Sequence, residues 1–173
     1  LDALGQFQLE PVIEQKLRDD MVKVLESAAG SQFVATQFIA VNTATNGVAI
    51  TTNGTATATA TGDGSAINCR AVVDFMKKKF IPKFDGRNYV CVASVSYLSG
   101  FHADTAAGGW QDISKYTDVY AGSIFRGEVG EFYMTRFVEE TGYLSNTIGN
   151  GSTRGQAVYF GSDNVYEAVS IPE

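Results

Sequence analysis

Leu9, Val12, Ile13, Leu17, Met21, Val24, Leu25 and Ala28 recur at spacings of three and four, and no other feature constrains the fold of this chain more. This is the period of one face of an α-helix, and it predicts a helix of about twenty residues from Leu9 to Ala28. Pro11 falls in the expected first turn, where its missing N–H costs nothing, and Gly30 is placed to stop the helix. Charges fill the other faces. Glu14 stands four residues before Arg18 and Asp19 four before Lys23, pairs worth about 0.2–0.5 kcal/mol each. A helix striped in this way needs a surface to lie against.

Downstream, the periodicity changes. Phe33 to Val41 alternates as a strand does, ending at Asn42 and the Asn46-Gly47 turn signal. Thr51 to Gly64 is built from Thr, Ala and Gly with no large side chain, and reads as a loose connection or exposed hairpin between two parts of the chain. A second helix is expected from Ser65, its N-cap, to Lys79, with Ile67, Ala71, Val72, Phe75 and Met76 on its apolar face. Lys77, Lys78 and Lys79 sit where the helix dipole favours cations, and Pro82 ends the element. These lysines suit a solvated helix end, or contact with DNA or a neighbour's carboxylates. Tyr89 to Ala93 is nearly all apolar, as in a strand buried on both faces in mid-sheet, and Ser96 is placed to cap a short helix through Phe101. Trp110 to Tyr120 reads as a helical or irregular aromatic stretch, Leu144 to Gly155 as a polar loop, and Gln156 to Ile171 as closing strands.

Gly127 to Gly142 combines strand-forming residues with five ionisable side chains. Read as one extended strand, it puts Phe132, Met134, Arg136 and Val138 on one face and Tyr133, Thr135, Phe137 and Glu139 on the other. Neither face is cleanly apolar, which suits a segment at a contact better than one sealed in a core.

The composition excludes several functions. Of 173 residues 45% are hydrophobic and 18% charged, which fits a folded domain or two small lobes, and no apolar run reaches the roughly 18 residues of a membrane span. The net charge of −6 and a single lysine run disfavour a general nucleic-acid surface. Cys69 and Cys91 are too few and too far apart for a metal knuckle, and read as buried reduced thiols; a disulfide between them stays open. Asn53-Gly54-Thr55 and Asn150-Gly151-Ser152 match the glycosylation pattern but read as turns, since no secretory signal is visible. Leu1 in place of an initiator methionine leads us to expect the middle of a longer polypeptide. His102 is the only imidazole, and no Ser or Cys has a nucleophile context such as Gly-x-Ser-x-Gly around it. The glycine-rich loops lack the lysine of a phosphate loop. No catalytic residue, cofactor or metal is therefore expected. Among enzymes, a glycoside hydrolase using two of Glu128, Glu131, Glu139 and Glu140 would be the best case.

Gly127-Glu128-Val129-Gly130 and Arg136-Phe137-Val138-Glu139, with Trp110 and Tyr116 before them and Ala157-Val158-Tyr159-Phe160-Gly161 after, resemble a branch of the major capsid proteins of tailed bacteriophages, which share the Hong Kong 97-type coat fold. The resemblance runs from about Phe7 onward. It implies an α+β chain in which residues 1–50 hold a long spine helix and part of a peripheral lobe, 51–64 connect, and 65–173 form an axial lobe of mixed sheet flanked by helices and the start of the return to the periphery. The family's extended loop, which sometimes carries a cross-linking lysine, and its returning peripheral strand have no counterpart in these residues. The implied role is a non-catalytic shell subunit that forms pentamers and hexamers around DNA in the virion after assembly in the bacterial cytoplasm. Its partners would be other copies of itself and scaffold, portal or decoration proteins, with packaged DNA touched only non-specifically and no membrane. Candidate interface residues are Arg126, Glu128, Glu131, Arg136, Glu139, Glu140 and Arg154, with Arg18 and Glu14 on the first helix. Arginine suits such contacts because its fork pairs with carboxylates in a bidentate way. The alternative is a phage decoration or tail-associated β-rich binding module, which the Thr/Gly loops suit and the long helix does not.

Overall fold

The structure, a computed structural model, describes residues 2–43, 47–103 and 128–162. The chain is a mixed α+β protein whose described residues form three helices and two sheets. Helix α1 (Asp2–Val34) is followed by strands β1 (Ile39–Thr43) and β2 (Gly47–Thr51), helix α2 (Ala66–Lys78), strand β3 (Tyr89–Ser94) and helix α3 (Val95–Ala103). Strands β4 (Glu128–Phe132), β5 (Thr135–Glu140) and β6 (Ala157–Phe160) follow, with a 3-10 turn over Asn150–Ser152.

The four-stranded sheet has the order β4-β5-β3-β6. β3 is central, as its apolar run predicts. It pairs in parallel with β5, Cys91 opposite Phe137, and antiparallel with β6, Cys91 opposite Tyr159. A parallel pair requires a crossover, and α3 lies on it. One face of the sheet is sealed: Tyr89, Cys91, Ala93, Phe132 and Phe137 pack with Ala66, Cys69, Val73 and Met76 of α2 and with Tyr97, Leu98 and Phe101 of α3. Phe101 anchors this core, its ring 5.2 Å from that of Phe137 and 5.6 Å from that of Tyr97, separations at which aromatic pairs attract. The other face carries Val90 and Val92, which are only half buried. The expectation of burial on both faces of β3 is corrected accordingly, because α2 and α3 both pack on the Cys91 side.

Helix α2 follows its sequence signals closely. Ser65 has the extended backbone of an N-cap (φ −146°, ψ 166°) and its hydroxyl accepts from the Asn68 N–H at 3.5 Å, satisfying one of the orphan donors of the first turn. Helix α1 departs from them. It runs on past both predicted ends, so that Pro11 lies in its interior and Gly30 does not stop it. Gly30 instead makes room: it is buried, and a Cβ there would run into the Cβ and ring of Tyr143. Phe33 and Val34, expected to open a strand, form the last turn of α1, where Phe33 stacks on Phe160 of β6 at 5.3 Å.

β1 and β2 pair antiparallel, Val41 opposite Ala49, as the turn signal predicts, although the turn itself lies outside the described residues. The segment after β2 has no regular structure as far as Ser65, yet it is tethered. The N–H groups of Gly54 and Thr61 donate to the carbonyls of Gln37 and Asn42, both at 2.9 Å, and Asn150 donates to the Ala60 carbonyl at 2.8 Å. The stretch predicted around Trp110 to Tyr120, and any closing strand after Ser162, fall outside the described residues.

The close fit of Gly30 to Tyr143 reverses an ordinary expectation. Gly→Ala inside a helix normally stabilises by about 1 kcal/mol. Gly30→Ala is expected instead to destabilise by about 1–3 kcal/mol through overpacking, read as an earlier midpoint in urea unfolding.

Candidate subunit-contact surfaces

Helix α1 meets the rest of the molecule at its C-terminal end, through Gly30 and Phe33. From Glu10 to Ala29 every residue is exposed. Ile13 is 54% accessible, Leu17 and Met21 65%, Val24 67% and Leu25 51%. At 100° per residue these five side chains fall within a sector of about 120°, turned away from the positions of Gly30 and Phe33. Val12 and Val22 are also exposed, outside that sector. Glu14 and Arg18, both predicted at an interface, lie on this bare part of the helix.

Of the Gly127–Gly142 segment, residues 128–140 form not one strand but a hairpin; Gly127 lies outside the described residues. β4 and β5 pair antiparallel with Phe132 opposite Thr135, which leaves Tyr133 and Met134 as a two-residue turn. Both have positive φ, 47° and 60°, as a type I′ turn requires. The alternation predicted for a single strand therefore breaks at Tyr133: Phe132, Thr135 and Phe137 share the buried face, and Arg136 and Val138 point to the other. Two non-glycine residues in the left-handed region cost about 1–2 kcal/mol each, and contacts from α2 offset the cost. The Tyr133 hydroxyl donates to Asp74 Oδ1 at 3.0 Å, Lys77 Nζ lies 4.5 Å from the ring centre, and Arg70 lies over the rings of both Phe132 and Tyr133.

The predicted interface residues do not converge on one patch. Arg136 is directly across from Glu131 and reaches Asp85 at 3.5 Å. The Asp85 carboxyl is held below its ordinary pKa, chiefly by the backbone N–H groups of Asn88 and Arg87 and further by Arg136. Arg154, in the loop before β6, is paired with Asp63. Glu140 closes its own loop, its carboxylate accepting from the N–H groups of Gly142, Tyr143 and Leu144. Glu139 is exposed, Glu128 lies in β4 opposite Val138, and Arg126 is outside the described residues. Arg136, Arg154 and Glu140 thus have partners inside the chain, while Glu14, Arg18 and Glu139 present charge to solvent.

The sequence places the end of α2 at Lys79, where the structure has its C-cap, but does not reveal how the end is closed. The Phe80 N–H donates to the Lys77 carbonyl at 3.0 Å and the Ile81 N–H to the Met76 carbonyl at 3.1 Å, the bond pair of a Schellman cap. Its left-handed position, usually glycine, is Phe80 at φ 56°, with 92% of its surface accessible. The absence of glycine between Lys79 and Pro82 was the available signal.

Among the described residues no group of three or more His, Cys, Asp and Glu is placed to hold a metal ion, and no helix is long and apolar enough to cross a membrane. His102 is exposed in the last turn of α3. A cleft of about 950 Å³ lies between the end of α1, the β1–β2 hairpin, α2 and β6, lined mainly by apolar side chains such as Phe38, Val72, Phe75 and Phe160. The cysteines are free and buried in a small polar knot in the core, where Cys69 Sγ is 4.0 Å from Thr135 Oγ1 and the Tyr97 and Tyr159 hydroxyls are 3.0 Å apart. Comparison with protein-family models, curated proteins and solved structures returned no significant match.

Burial pushes the Cys69 thiol up to about 12, and the Cys91 thiol and the Tyr97 and Tyr159 hydroxyls well above their ordinary values. The folded state therefore holds these protons more tightly than the unfolded chain. Their contribution to stability is complete below an ordinary thiol pKa of about 8.5 and declines as pH rises from there towards 12. Urea midpoints are expected to fall between about pH 8 and pH 11, and a thiol reagent at about pH 8 to label neither cysteine until the chain unfolds.

Proposed function

We propose that this chain is a structural subunit of a tailed-bacteriophage capsid shell, with the Hong Kong 97-type fold, self-assembling into pentamers and hexamers that enclose DNA. The observation that carries the reading is α1: 33 residues long, attached near its end, and exposed along an apolar sector from Ile13 to Leu25. Side chains such as Leu17 and Val24 in water each forgo about 1.5–3 kcal/mol that burial would supply, so the helix gains its stability where something covers it. A spine helix followed by a lobe of mixed sheet and helices is the arrangement that the resemblance to major capsid proteins implies. The sheet order with β3 between a parallel and an antiparallel neighbour supports the same reading. In this role the work is geometric and needs no catalytic group. Copies of the chain are the main partners, scaffold, portal or decoration proteins are secondary ones, and the site of action is the virion.

The bare helix gives the test. Leu17→Glu changes a 65% accessible side chain, so the unfolding free energy of the subunit is expected to move by no more than about 0.5 kcal/mol. Assembly into rings or shells, seen by electron microscopy and size-exclusion chromatography, is expected to be lost. A wild-type protein that remains a monodisperse monomer and binds glycans would sink the capsid reading in favour of a tail-associated binding module.

A further inference from the structure

Phe80 combines two costs. A large aromatic ring stands in water at 92% accessibility, on a backbone at φ 56° that glycine would adopt without strain. Among the described residues no contact uses the ring. The Schellman cap needs only the backbone of this residue, and strain retained without a folding role points to a use elsewhere. Its surroundings are basic. Lys78 and Lys79 are exposed beside it, Lys77 completes the turn, and the stretch from Arg70 to Arg87 holds six lysines and arginines against two aspartates in a chain of net charge −6.

A surface of matching character exists on the same chain. On α1, Glu10 and Glu14 each stand three residues before an exposed apolar side chain, Ile13 and Leu17, and so share their face. One surface is an aromatic knob in a lysine collar. The other is an apolar stripe edged with carboxylates.

We infer that the Phe80 knob at the end of α2 docks on the α1 stripe of a second copy of this chain, with Lys78 and Lys79 facing the neighbour's Glu10 and Glu14. Knob and stripe are different surfaces, so the contact is heterologous, and repeating it builds a ring or an open chain where a self-complementary patch would stop at a dimer. A buried aromatic anchor within a polar rim is a common arrangement at interfaces, and the charge pairs set register and encounter rate. The inference rests on the self-assembling subunit reading and names the contact within it.

Phe80→Gly separates association from folding. Relief of the left-handed strain is expected to raise the Tm by about 2–4 °C, while association in sedimentation velocity weakens at least about tenfold. The double charge reversal Lys78→Glu with Lys79→Glu is expected to weaken association similarly, and combining it with Glu10→Lys and Glu14→Lys to restore it. Phe80→Gly associating like wild type would overturn the inference and leave the shell reading standing. Loss of oligonucleotide binding with association intact would overturn it in favour of a nucleic-acid surface. Small oligomers that depend on Phe80 but never close into shells would support the contact and sink the capsid reading.

Discussion

The pairing of β3 on both edges organises the molecule. Cys91 lies between Phe137 of β5 and Tyr159 of β6, so β5, β6, α2 and α3 are all placed by their relation to this strand. With Tyr89, Cys91 and Ala93 turned to one side, α2 and α3 can only pack there, and the core becomes a single layer of side chains between two helices and the sheet. The knot of Cys69, Thr135, Tyr97 and Tyr159 lies within this layer and joins four different elements. Buried polar groups of this kind are costly unless partnered, so these contacts favour one register over its neighbours.

The other side of the sheet is treated differently. Among the described residues the last turn of α1 reaches it, through Phe33 on Phe160, and Phe84 lies against the same ring at 5.9 Å. The described residues thus form a conventional interior and a helix, held at its C-terminal end, whose apolar side chains are exposed. The two regions follow different physics. The core buries its apolar side chains, whereas α1 leaves Leu17, Met21 and Val24 in water.

How much of this could be read from the sequence depended on whether the signal was local. Ser65 announces α2 because a cap bond closes within three residues, and Tyr89 to Ala93 announces a central strand because burial is written into its composition. Gly30 misled because the reason for it, the ring of Tyr143, lies 113 positions away along the chain. The β4–β5 hairpin was hidden for a related reason. Its turn is Tyr133-Met134, without the Asn or Gly that normally marks positive φ, and it is held by Asp74 and Lys77 from another element. Charge was the least legible property. Arg136, Arg154 and Glu140 looked like free contact groups, and their intramolecular partners Asp85, Asp63 and the 142–144 backbone became visible only in three dimensions.

The order of the sheet also sets a timetable. β3 gains its first neighbour 46 positions later at Phe137 and its second only at Tyr159, so during synthesis the central strand emerges long before either edge can be filled. Non-local pairings of this kind close slowly, and domains emerge from the ribosome N-terminus first. Helix α1, whose bonds are all local, is complete well before the sheet is. Its apolar sector is therefore uncovered from the moment it is made, while the strands of the sheet behind it are still unpaired.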